Sequence, residues 1–301
     1  MKMKTVSEWI DQVAHELDHS DACFGHGTDN AHDEAAWLVL HVLGLPLDGS
    51  FRDGSHPVDQ QAATRIRALL STRLLERKPL AYLLGEAWFC GLPFWVDESV
   101  LVPRSPIAEL IQTGFHPWVP RGGVHRALDL CTGSGCIAIA MAMHDAALDI
   151  DAVDISRSAL ATAARNLRRH GCEDRVSLVV SDLFAGLQGR QYDLIVSNPP
   201  YVAAAEMRKL PREYTWEPHL GLEADHHGLS VVRRILRAAP DFLTPDGVMI
   251  MEVGQTAANL MRCWPELPVT WIEFEHGGEG VFTIGRCELE AARALLGRSP
   301  K

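Results

Sequence analysis

Apolar residues recur along this chain in two rhythms, and the change between them divides it. Through residue 87 the spacing is helical. Ala35, Leu38, Val39, Val42 and Leu43 fall on one helix face, and Gly44-Leu45-Pro46 ends that run. Val58, Ala62, Ile66, Leu69 and Leu70 mark a second helix, for which Pro57 is a suitable first-turn residue. Stripes of this kind are core faces, whereas the basic trio Arg73, Arg77 and Lys78 reads as solvated surface. From Trp88 to Pro103 the rhythm changes. Phe89, Phe94, Trp95, Val96, Val100, Leu101 and Val102 gather around Gly91-Leu92-Pro93, the pattern of a β-hairpin. Arg104 to Trp118 then returns to helix.

After residue 125 short apolar runs alternate with helical ones. Strands are predicted at Arg126–Leu130, Ile150–Ile155, Val176–Val180, Tyr192–Ser197, Val248–Val253, Trp271–Glu275 and Val281–Ile284. Alternation of this kind implies an α/β fold with a mainly parallel seven-stranded sheet covered on both faces. The last two strands, joined by the Gly-rich turn His276–Gly280, are expected to form an antiparallel hairpin. The expected organisation is a helical domain over 1–87, a hairpin linker over 88–103 and the α/β domain over 104–301.

Composition narrows the partners. The 301 residues are 47% hydrophobic, which is enough for a substantial core. No apolar stretch approaches the ~18 residues of a membrane span. The segment Met1–Ile10 lacks the apolar centre of a signal peptide, so the cytoplasm is the expected compartment. Seven cysteines, an odd number without a C-x-x-C pair, argue against a disulfide framework or structural zinc. The fourteen histidines, His226 and His227 among them, lack ligand spacing, and no metal is expected. A formal net charge of -11 counts against tight binding to phosphate backbones and favours a basic protein as partner.

Candidate chemistry sits where strands end. Asn198-Pro199-Pro200-Tyr201 follows the fourth strand, at the sheet edge where ligands of open α/β sheets bind. The prolines fix φ and remove two N–H donors, so the Pro199 carbonyl is free to accept from a ligand. The Asn198 side-chain oxygen is a second acceptor, and two convergent acceptors suit a planar –NH2 group. Asp129-Leu130-Cys131-Thr132-Gly133-Ser134-Gly135 follows the first strand and opens a helix. It matches neither a P-loop nor the dinucleotide fingerprint, and its leading acid argues against phosphate. Asp154 ends the second strand, where an acid can accept both hydroxyls of a ribose. Asp182 ends the third, where its side chain or neighbouring backbone can hold an adenine edge. Each aspartate taken singly also fits a helix N-cap.

These motifs resemble the class I, Rossmann-like methyltransferases that use S-adenosylmethionine. More narrowly they resemble the HemK-like family of glutamine amide methyltransferases. The likeness spans nearly the whole chain and includes Leu101-Val102-Pro103-Arg104 and Glu217-Pro218-His219-Leu220. It implies S-adenosylmethionine as cofactor, held by Asp129, Thr132, Gly133, Gly135, Asp154, Ile155, Asp182, Leu183 and Asn198. It implies a substrate glutamine amide gripped by Asn198, Pro199, Pro200 and Tyr201, with Arg104 nearby, and catalysis by Asn198, Pro199 and Tyr201. No general base is needed before transfer, since the methylated cation is acidic enough to lose its proton to water. Phe94, Trp95 and the Leu101–Arg104 loop are candidates to cover the site. The chain departs from the release-factor enzymes of the family, which usually read D-L-G-T-G-S-G and V-P-R-P. Cys131 replaces the first glycine and Ser105 follows Arg104. Those departures, with Gly25–Asn30, Ala87–Gly91 and Gly277–Phe282, resemble the branch that methylates a glutamine of the third large-subunit ribosomal protein. Methylation of release factors, methylation of adenine amino groups in nucleic acid and a non-catalytic role in ribosome assembly are the rival readings. A nucleic-acid enzyme would carry a basic groove, against which stand only 28 Lys and Arg.

Overall fold

Thr5 opens the first helix with a reciprocal cap. Its hydroxyl accepts from Glu8 N at 3.3 Å, and the Glu8 carboxylate accepts from Thr5 N at 2.8 Å. The computed structural model describes residues 3–47, 49–119, 123–275 and 277–297, so Met1, Lys2 and His276 lie outside the described residues. Two compact units emerge. The first gathers Met1–Glu98, Val102–Arg104 and Leu210–Glu217.

In this unit α1 (Val6–Asp18) buries Val6, Trp9, Val13 and Leu17 along one face. Helix α2 (Ala31–Leu43) is capped by Asn30 and stopped by Gly44 in the left-handed conformation, φ 64°. Helix α3 (Gln60–Glu76) begins after Pro57, not on it. Asp59 is the N-cap and accepts from Ala62 N at 2.8 Å, because a side-chain acceptor satisfies an orphan N–H that proline cannot. A short α4 (Leu80–Leu84) precedes the hairpin of β1 (Glu86–Phe89) and β2 (Leu92–Trp95). Cys90 and Gly91, at φ 50° and 72°, supply the tight two-residue turn. The ladder ends at Trp95, short of the expected Pro103, although Val96 and Val102 are buried.

None of the three basic residues read as solvated surface is exposed. Arg73 is 1% exposed, donating to Glu34 at 2.7 Å, to Glu213 at 2.9 Å and to the Cys23 carbonyl at 2.8 Å. Arg77 forks onto both Glu213 oxygens at 2.7 and 2.9 Å. Lys78 is partly covered, pairing with Glu98 and lying 4.6 Å over the Trp216 ring. Burial of two guanidiniums requires this pairing.

The second unit holds Ser99–Leu101, Ser105–Lys209 and Pro218–Lys301. It starts with α5 (Ile107–Gln112), shorter than expected because Gly114 and Phe115 turn to positive φ of 61° and 62° before Pro117. The chain continues through β3 (Arg126–Leu130), α6 (Cys136–His144), β4 (Asp149–Asp154), α7 (Arg157–His170), β5 (Val176–Val180) and β6 (Tyr192–Ser197). Two single helical turns follow, α8 (Ala204–Met207) and α9 (His219–Leu222), then an irregular turn, α10 (Asp225–Gly228), with non-helical backbone at His226 and His227, and then α11 (Ser230–Ala238) and β7 (Leu243–Glu252). The chain ends with α12 (Ala257–Cys263), β8 (Thr270–Trp271), β9 (Val281–Gly285) and α13 (Arg286–Gly297). Strand β8 is two residues rather than the expected five, and it pairs antiparallel with β9 as expected. The sheet order is β5-β4-β3-β6-β7-β9-β8, parallel except for β9 against its two neighbours. Its β3, β6, β7 and β9 side chains form one core with Val232, Ile235 and Leu236 of α11 and Leu289 and Leu296 of α13. Helices α6 and α7 pack on β3, β4 and β5.

Candidate active site

The register of the parallel strands brings the motifs into one line. Leu130 lies opposite Val153 on one side and Ser197 on the other, Val153 opposite Val179, and Ser197 opposite Met251. The residues just past this row are Cys131, Asp154, Val180, Asn198 and Glu252. Strand β3 is also where the order reverses, since β4 and β5 lie to one side and β6 to the other. The crevice at such a switch point is where ligands enter.

Each turn is built to face that crevice. After β3, Cys131, Gly133 and Gly135 take φ of 63°, 55° and 80°. At Gly135 a Cβ would sit 3.2 Å from that of Ala163, so glycine allows α6 to pack close. Asp129 is fully buried. One of its oxygens accepts from the Thr132 hydroxyl at 2.5 Å and Ala138 N at 3.2 Å, and the other has no partner among the described residues. Burial drives its pKa up to about 7 against the pull of those two donors, with Asp154 adding to the rise. Asp154 holds the turn together, accepting from Gly133 N at 2.9 Å and Ser156 N at 2.8 Å. Burial raises its pKa too, against the pull of those amides. Ile155 beside it is 53% exposed, an apolar surface at the sheet edge. Asp182 is half exposed and pairs with Arg234 at 2.7 Å, and Leu183 adopts φ 52°. The Cys131 thiol is pushed well above its ordinary pKa by burial and by Asp154 and Asp129, which makes it a poor nucleophile.

The tetrapeptide after β6 is clamped. Ser197 donates to the Leu130 carbonyl at 2.9 Å, tying the ends of β3 and β6. Pro199 is buried. Tyr201 donates its hydroxyl to Glu252 at 2.9 Å, and its carbonyl accepts from Thr256 at 2.7 Å. A Cβ on Gly254 would meet the Tyr201 ring at 2.8 Å, and one on Gly228 would lie 2.1 Å from the Tyr201 carbonyl oxygen. His226, His227 and Gly228 are all left-handed, φ 54°, 59° and 84°. Three such residues in succession carry Gly228 under Tyr201, with the His227 carbonyl accepting from Asn259 at 3.2 Å.

Some of the expected residues belong to the first unit. Arg104 belongs to the first unit, where it forks onto Glu217 at 2.5 and 2.6 Å. Burial opposes ionisation of Glu217, yet Arg104 holds its pKa at about 2. Phe94 is buried in that unit and Trp95 is 39% exposed. The residues that sequence reasoning missed are Glu252, Ser105, Gly228 and Gly254. Glu252 follows the rule that found the aspartates, an acid ending an apolar strand in Met251-Glu252-Val253-Gly254.

A ligand fits this site if it brings cationic donors. The fully buried Asp129 carboxyl, with one oxygen lacking a partner among the described residues, and the half-buried Asp154 beside it would each be stabilised in charged form by an ammonium and not by an anion. Among the described residues no group of three or more His, Cys, Asp or Glu side chains is placed to hold a metal, and no helix is long and apolar enough to cross a membrane. None of the seven cysteines is in a disulfide.

Comparison with known proteins identifies the family. A family described as Methyltransferase small domain matches residues 119–212, and one described as PrmC N-terminal domain matches residues 8–85. The chain is 50% identical to the ribosomal protein uL3 glutamine methyltransferase of Xanthomonas campestris pv. campestris, over 98% of this chain and 96% of that protein. It is 48% identical to the protein of the same name from Xylella fastidiosa strain 9a5c, over 96% of this chain and 93% of the relative.

Proposed function

The chain belongs to the ribosomal protein uL3 glutamine methyltransferases, and we propose that it performs the reaction that name describes. The substrate is the side-chain amide nitrogen of a glutamine in uL3, a basic large-subunit protein met in the cytoplasm, and the methyl donor is S-adenosylmethionine. The observation that carries this reading is the single row of strand ends that aligns Asp129 to Gly135, Asp154, Asp182 and Asn198 to Tyr201.

Asp129 would hold the cofactor's amino group on its unpaired oxygen, and Thr132, Gly133 and Gly135 shape the turn around it. Asp154 would accept the ribose hydroxyls on lone pairs left by Gly133 and Ser156. Ile155 and Leu183 would flank the adenine, with Asp182 at its edge. When bound, S-adenosylmethionine supplies a methyl already made electrophilic by its sulfonium.

The protein's task is then positioning. An amide nitrogen is a poor nucleophile because its lone pair is delocalised into the carbonyl. Asn198 Oδ1 and the Pro199 carbonyl each accept one amide N–H, which fixes the plane of the nitrogen. The same two acceptors stabilise positive charge as it develops on nitrogen. Orientation of this kind can supply ~7–11 kcal/mol of barrier lowering. Tyr201 packs against the flat amide, and the cation formed loses its proton to water. The first unit, with its hairpin, is proposed to dock uL3, helped by the net charge of -11.

Transfer of labelled methyl from the cofactor to purified uL3, release factor, DNA and RNA tests the reading. Label on uL3 alone is expected. Label on release factor or nucleic acid in place of uL3 would overturn it.

A further inference from the structure

Glu252 ends β7 one strand beyond the tetrapeptide, in the same row as the other motifs. It is 5% exposed. One of its carboxylate oxygens accepts from the Tyr201 hydroxyl at 2.9 Å and the other from the Ser105 hydroxyl at 2.5 Å. Burying a carboxylate is costly unless each oxygen is satisfied, and here two hydroxyls do so. Ser105 directly precedes Pro106, which packs where a Cβ on Gly278 would come within 2.6 Å. On the other side, a Cβ on Gly280 would lie 2.1 Å from the Gly254 carbonyl oxygen, and Gly254 backs the Tyr201 ring. Two glycines of Gly277–Phe282 thus pack against Pro106, next to Ser105, and against Gly254, behind the Tyr201 ring.

We propose that Glu252, braced by Ser105, is a positioning residue for methyl transfer. It acts through Tyr201 to fix the Asn198–Tyr201 tetrapeptide against the substrate amide. The inference rests on the reading that this tetrapeptide holds the glutamine. Proline rings lock φ at Pro199 and Pro200, so few torsions separate Tyr201 from the Pro199 carbonyl and from Asn198. Anchoring the Tyr201 hydroxyl, ring and carbonyl therefore sets the direction of both amide acceptors. The effect falls on kcat, since cofactor residues on β3, β4 and β5 do not depend on Tyr201. A role as proton acceptor is separable, because glutamine keeps an oxygen for the Tyr201 hydroxyl and loses the basicity.

The test compares Glu252→Ala, Glu252→Gln, Tyr201→Phe and the Ala/Phe double variant in full-length chains. Methylation of uL3 is measured alongside calorimetric binding of S-adenosylhomocysteine. Glu252→Ala is expected to lower kcat about tenfold or more, with KM and product affinity within about twofold. Glu252→Gln should recover most of that loss, and the double variant should be no slower than the slower of its parents. If Glu252→Ala does not fold, Glu252→Asp replaces it, since the shorter side chain withdraws its oxygen from Tyr201. Its loss should vanish in a Tyr201→Phe background. An unchanged kcat, a Glu252→Gln as slow as Glu252→Ala, or losses that multiply would overturn the proposal. If the wild-type chain methylates no glutamine, the functional reading falls with it. If the wild type is active and the variants behave otherwise than stated, this inference fails alone.

Discussion

Asp129 has one carboxylate oxygen engaged by Thr132 and Ala138 and one without a partner among the described residues. Burial holds its pKa at about 7 in the free chain. A cationic amino group at the orphaned oxygen would lower that value, so binding below about pH 7 releases a proton. Affinity for S-adenosylhomocysteine should therefore rise as pH increases toward 7 and level off above it. Calorimetry in buffers of different ionisation enthalpy reads the proton, and Asp129→Asn should abolish the pH dependence. A flat wild-type profile would place the amino group elsewhere. Asp154→Ala removes acceptors for Gly133 and Ser156 as well as the proposed ribose contact, and affinity should weaken by roughly 1.5–3 kcal/mol. Unchanged affinity by the same calorimetry would move the ribose off β4. At this scale the sequence showed the strand-end acids because an acid closing an apolar run stands out by itself. The Arg234 partner of Asp182 lies 52 residues away, and no local pattern signals it.

Elements were legible where burial makes a pattern. Strands β3 to β6 match apolar runs to within a residue, since parallel strands covered on both faces are apolar throughout. Helix α5 came out shorter than its run because backbone geometry at Gly114 and Phe115, not hydropathy, ends it, and strand β8 is also shorter than its run. The succession His226-His227-Gly228 was opaque. Its meaning is the contact that Gly228 makes possible under Tyr201, and contacts are not written in composition. Gly228→Ala would place a methyl against the Tyr201 carbonyl at positive φ. The combined strain and overlap should cost about 2–4 kcal/mol and lower Tm by roughly 5–10 °C. Methylation should fall further than cofactor affinity. A variant with wild-type Tm and activity would show that the left-handed turn is not needed to seat the tetrapeptide.

At the scale of the whole chain, ion pairs join stretches far apart in sequence. Arg77 and Glu213 are 136 residues apart, yet both belong to the first unit. Helical periodicity marked Arg73 and Arg77 as an outer face, and it cannot show a partner from a later segment. Burial opposes ionisation of Glu213, but Arg77, the Cys23 amide and Arg73 hold its pKa at about 2, and Glu217 is held at about 2 by Arg104. A carboxyl depressed on folding contributes stability that is fully present above its ordinary value of 4.5. That contribution is lost as pH falls from 4.5 toward about 2. Each group carries on the order of 2–3 kcal/mol. Glu34, raised by burial, works with the opposite sign and offsets part of it. Thermal unfolding followed by circular dichroism should thus show Tm dropping through that window, with a shallower drop in Glu213→Gln. Identical profiles for the two proteins would mean the buried network does not set acid stability.

The central claim is that the row of strand ends grips a glutamine amide through Asn198 and the Pro199 carbonyl. Tandem mass spectrometry of uL3, incubated with S-adenosylmethionine and either the wild-type chain or Asn198→Ala, addresses it most directly. The predicted result is a methyl group on a glutamine side-chain nitrogen with the wild type. The same product should form at least ~100-fold more slowly with the folded, cofactor-binding variant. A methyl group on any other atom, or an Asn198→Ala variant as fast as the wild type, would contradict the account.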